Sequence, residues 1–150
     1  MNQCKKTLSF LIKDPMLWII SLGTGIFWYA LSSYVPVTEN LLWPLANPMA
    51  FIIPVILYPV LEEIVFRGAV MEFFQEKTPG IVFFNLSKAN VISSLIFTLL
   101  HFFYHPPLWA SLVFIPSLIF GVLKERYNSL VPPILFHVFF NAGYYLLFTQ

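Results

Sequence analysis

The apolar positions of this chain fall into long, nearly unbroken runs, not into the stripes of a surface helix. Five runs approach the roughly 20 residues that a helix needs to cross a bilayer. They cover about Met16 to Val35, Pro48 to Phe74, Ala89 to Tyr104, Pro107 to Leu123 and Val131 to Phe148. The third and fourth are short and joined by His105-Pro106-Pro107, which suits two spans with a tight turn or a re-entrant pair. Residues 4 to 14, CKKTLSFLIKD, read as an interfacial lead-in. The alternation of a membrane barrel is absent. The pattern predicts an all-α fold, a polytopic transmembrane helix bundle of about five spans. Residues 1–150 are read as one integral-membrane domain.

Composition agrees. The chain is 59% hydrophobic and 10% charged, with a mean hydropathy of +0.80, where a soluble domain carries about 25% charged residues. A net charge of +1 gives no footprint for nucleic acid. The single Cys4 excludes an internal disulfide and, in the basic N-terminal segment, reads as a bystander. No signal-peptide cleavage pattern is evident, so the first apolar run is expected to stay in the protein.

Charge also orients the bundle. With the N-terminus inside, the inner segments hold Lys5, Lys6, Lys13, Lys77, Lys88, Lys124 and Arg126, seven of the eight basic residues. Cytoplasmic loops carry such an excess. The expectation is a multi-pass protein of a prokaryotic cell membrane, N-terminus cytoplasmic.

The eighth basic residue, Arg67, lies inside the second run, in LEEIVFRG. A charge at the bilayer centre costs about 2.5–3.5 kcal/mol on insertion scales, so intramembrane ionisable groups face the bundle interior and serve function by default. The strongly polar residues of the spans are Glu62, Glu63 and Arg67 in the second, His101 in the third, and His137 and Asn141 in the fifth. Glu63 and Arg67 are four apart and share a helix face. Glu62 is rotated about 100° from Glu63, so one glutamate can pair with Arg67 while the other points elsewhere. Phe97 and His101, and His137 and Asn141, repeat the spacing of four. An active site buried between spans 2, 3 and 5 is the expectation.

A buried carboxylate is a competent general base toward water. Neutral imidazoles and an amide can orient that water or serve a developing oxyanion. Taken singly, a Glu–Arg pair reads as a helix brace and a lone His as packing. All of them on three spans point to hydrolysis. No serine or cysteine is placed for a triad, since Ser93 and Ser94 lie near His101 only in sequence and Ser117 sits alone.

Glu62-Glu63-x-x-x-Arg67, Phe97-x-x-x-His101 and His137-x-x-x-Asn141, in that order, resemble the three motifs of the CPBP family. These are the CAAX-protease and bacteriocin-processing intramembrane proteases, or Abi proteins. Gly68 after the arginine and GVLKERYNSLVPPILFH before the third motif fit too, and the resemblance covers about residues 45–148. The segment YHPPLWASLVFIPSLIFG and the small size look like the subgroup paired with JDVT-CTERM sorting signals. The resemblance implies endopeptidase chemistry on a membrane-anchored peptide, a sorting or anchor segment or a CAAX-like tail. It makes Glu62 the base, His101 the holder of water or oxyanion, and His137 with Asn141 their support. Glu63 and Arg67 become accessory.

The chain keeps little beyond the motif-bearing helices, which leaves room for a homo-oligomer or a partner membrane protein. There is no HExxH on one helix, and a metal-free mechanism is expected. Were zinc used, Glu62, His101 and His137 would be its ligands. The rival readings are a catalytically silent scaffold or immunity-type protein, and a small proton-coupled transporter. The latter would be expected to show inverted repeats, which the sequence lacks.

Overall fold

The computed structural model describes residues 13–83 and 86–148, with backbone alone at 81–83. Cys4 and most of the predicted lead-in fall outside the described residues. The architecture is all-α: α1 is Pro15–Leu31, α2 Pro48–Lys77, α3 Lys88–His101, α4 Pro107–Tyr127 and α5 Val131–Phe148. A single helical turn, Trp43–Ala46, precedes α2.

Among the described residues, three helices, α2, α4 and α5, are long and apolar enough to cross a membrane, at 30, 21 and 18 residues. The first and third predicted spans are shorter as helices, with 17 residues in α1 and 14 in α3. The third apolar run continues to Tyr104, but its helix stops at His101. There the His101 carbonyl accepts from the Tyr104 and His105 N–H groups at 3.2 and 3.0 Å, a tightened last turn. Pro106 and Pro107 follow and cannot extend it.

Local signals fix the helix starts. Asp14 Oδ1 accepts from Met16 N–H at 3.0 Å with Pro15 in the first turn of α1. Ser87 Oγ accepts from Asn90 N–H at 2.9 Å and opens α3. Asn128, left-handed at φ 47°, ends α4. The connection between α2 and α3 contains two short antiparallel strands. Strand β1, Ile81–Phe83, pairs with β2, Leu86–Ser87. Its β-branched and aromatic run suits a strand.

The chain divides into two compact units. One comprises the residues up to Leu41 and those from Gly143 onward; the other is Leu42–Ala142. In the first, Thr38 N–H donates to Leu147 O at 2.8 Å. Gly143 admits the Trp28 indole so closely that a Cβ would overlap the ring.

The second unit buries polar side chains among its apolar core and exposes many apolar ones. Glu63, Arg67, Asn90, Ser93, Ser94 and Ser117 are buried, while Leu61, Ile64, Leu95, Leu99 and Ile115 are exposed. Lipid tails are as apolar as leucine, so helix contacts in a membrane rest on close packing and interhelical hydrogen bonds. Asn90 Nδ2 donates to Leu118 O at 3.0 Å, and Ser94 Oγ donates to Asn90 Oδ1 at 3.2 Å. Gly121 is where α4 passes that amide, and a Cβ there would overlap the Asn90 side chain.

Helix α2 is irregular twice. Ile53–Leu57 and Ile64–Val70 run in π register. Tyr58 N–H donates to Ile53 O, and Met71 N–H to Phe66 O, each five residues back. Such bulges are frequent at functional sites. The α-helical segment between them, Tyr58–Glu63, carries both glutamates.

Candidate active site

The two adjacent glutamates have opposite environments. The Glu63 side chain is fully buried, whereas that of Glu62 is 31% exposed. Glu63 Oε1 accepts from Arg67 Nη1 at 3.1 Å and from His137 Nδ1 at 2.8 Å. Arg67 Nη2 donates to the Ser117 carbonyl at 2.6 Å and to Ser117 Oγ at 2.7 Å. The guanidinium also packs against the rings of Phe97 and Phe120, 5.2 and 5.6 Å from their centroids. A buried charge pair is tolerable only with such geometry and added hydrogen bonds.

His137 bridges the two carboxylates. With Nδ1 on Glu63, its Nε2 lies 3.5 Å from Glu62 Oε2. That is too long for a hydrogen bond. The imidazole stacks on Phe120, with centroids 4.7 Å apart at 22°, and meets the edge of Phe97 at 6.1 Å.

His101 joins through the same phenylalanine. Its ring packs on Phe97 at 4.4 Å and its Nδ1 donates to the Phe97 carbonyl at 2.9 Å. Outward, it stacks on His105 at 5.6 Å. A carbonyl and a carboxylate only accept, so both histidines carry a proton on Nδ1. In the neutral form of either ring, Nε2 is then the acceptor. Asn141 reaches from α5 to α2, where its Nδ2 donates to Pro54 O at 2.8 Å.

The structure thus brings Glu62, Glu63, Arg67 and His137 into one chain of contacts, sets His101 beside it on Phe97, and ties Asn141 to Pro54. Helix α4, absent from the expected site, contributes Ser117 and Phe120. A serine and a glycine inside an apolar helix were the available signal, since small residues mark close helix contacts. Among the described residues, no three His, Cys, Asp or Glu side chains are grouped as a metal ion would require.

The model of one protein family, Rce1-like type II CAAX prenyl endopeptidase, matches residues 43–143. No curated protein and no solved structure matches the chain.

Proposed function

This chain belongs to the Rce1-like family of type II CAAX prenyl endopeptidases, a protease family, and from that premise we propose that it is an intramembrane endopeptidase of the glutamate type. The observation that carries the reading is the contrast between neighbours. Glu63 is spent on Arg67 and His137, while Glu62 is partly exposed beside the free Nε2 of His137.

Glu62 takes a proton from water, and the hydroxide attacks the scissile carbonyl carbon. His101 Nε2 accepts from the second O–H of that water and aims it. The oxyanion meets the N–H of Asn141 that Pro54 leaves over. The proton on Glu62, shared with His137 Nε2, passes to the departing amine as the C–N bond breaks. Glu63 and Arg67 hold the His137 ring in register. No metal enters these steps. A zinc-dependent version would need Glu62, His101 and His137 as ligands, and the Nε2 atoms would then be donors to the ion. The substrate is a membrane-anchored protein or peptide, cut at a C-terminal sorting or anchor segment or a CAAX-like tail. The enzyme sits in a prokaryotic cell membrane with its N-terminus in the cytoplasm, and a second copy or partner membrane protein completes the substrate cavity.

The test is co-expression in membranes with a panel of tagged C-terminal segments, with wild type, Glu62→Gln and a chelator compared. Cleavage should fall about 10²- to 10⁴-fold in Glu62→Gln, as for loss of a general base, and persist in chelator. Loss in chelator with recovery on zinc would replace the mechanism and keep the protease. No cleavage of any segment by wild type would favour a silent scaffold, and proton flux in liposomes a transporter.

A further inference from the structure

The carbonyl that receives Asn141 lacks a helical donor for a reason written in α2. In an α-helical register Pro54 O would be served by Tyr58 N–H, but that donor goes to Ile53 O, five residues back. In the π register the donor would be residue 59, which is proline and has no N–H. The α and π donors to Pro54 O are both closed, and a carbonyl at membrane depth needs a partner. The Asn141 amide meets it at 2.8 Å.

We infer that Pro59 is a positioning residue for Asn141: by withholding a backbone N–H, it keeps the Pro54 carbonyl open and so sets the place and orientation of the Asn141 amide. A carbonyl only accepts, so the bond turns the NH2 end of the amide toward Pro54 and leaves its second N–H for another acceptor. Pro59 itself is fully buried and three residues before Glu62. It acts on the site without touching substrate. The inference rests on the proposed role of Asn141 as oxyanion donor and deepens it.

Restoring the missing donor is the test. Pro59→Ala gives residue 59 an N–H that can close onto Pro54 O and displace Asn141. The full-length protein in liposomes would be assayed as wild type, Asn141→Ala, Pro59→Ala and the double variant. Asn141→Ala should lower kcat about 10²-fold with KM little changed, as for one oxyanion donor. Full activity in Asn141→Ala would instead end the oxyanion role, whatever Pro59 does. Given that loss, Pro59→Ala should lower kcat at least about 10-fold with KM and thermal midpoint held, and the double variant should be no slower than Asn141→Ala. Wild-type kcat in Pro59→Ala, or additive losses in the double variant, would overturn the inference. Pro59→Ser restores the same N–H and should behave alike. If neither variant folds, the proline holds the helix and not the amide, and the inference also falls.

Discussion

The two π-register stretches of α2 flank the same pair of glutamates, yet they are held open by different means. At Ile53–Leu57 the need is local: Tyr58 N–H goes to Ile53 O, Pro59 has no N–H to give Pro54 O, and a single side chain from α5 covers that carbonyl. Ile64–Val70 contains no proline. There Phe66 O accepts both Met71 N–H and the Ser93 hydroxyl, the latter at 2.9 Å, and Arg67 is clamped by Ser117 and two aromatic rings. Irregular backbone at membrane depth survives only where its freed groups find partners. One stretch carries that requirement in its own sequence. The other delegates it to α3 and α4, and it should be the easier to break from a distance.

The largest expected effect is at the clamp. Arg67→Ala leaves the buried Glu63 carboxylate without its cation and should destabilise the protein by about 3–5 kcal/mol, read as a lower unfolding midpoint in detergent. A variant as stable as wild type would mean that the second stretch does not depend on Arg67. Next comes the seam that seats α4 against α3. Gly121→Ala drives a methyl group into the Asn90 amide and should cost about 1–3 kcal/mol, with Ser117 and Phe120 displaced and cleavage reduced in step. Ser93→Ala removes one of the two donors to Phe66 O and should cost about 0.6 kcal/mol, the average for a side-chain hydrogen bond between membrane helices. If this small loss also impairs cleavage, the second stretch tunes the site as well as supporting it. Smallest is Lys124→Ala. It breaks the 2.9 Å pair with the mostly exposed Glu72 at the ends of α4 and α2 and should shift stability by less than about 0.5 kcal/mol.

How much of this could be read beforehand depended on whether the cause was local. The apolar run Val131 to Phe148 coincides with α5, and the spacing of four between Glu63 and Arg67 gives the face on which they meet. The π register left no trace in the pattern of apolar residues, because an all-apolar helix has no stripe whose phase could slip. Ser117 was visible only as a lone hydroxyl. Its role needs α4 to cross α2 at Arg67, 50 residues away, and no local spacing encodes that. The same holds for the bond from Asn141 to Pro54, which spans 87 residues. The tautomers of His101 and His137 likewise emerged only from what each Nδ1 faces.

The brevity of α3 bears on the lipid itself. Its 14 residues rise about 21 Å, against a hydrocarbon thickness of about 30 Å. A bilayer meets so short a spanning element by thinning around it, by snorkelling of the flanking side chains or by oligomerisation of the protein. Where thinning prevails, headgroups and water come down toward the His101 end, and the proposed mechanism gains a shorter path for water to Glu62. Under the proposed function, membrane thickness should then set turnover, with shorter acyl chains speeding cleavage and sterol-like stiffening slowing it.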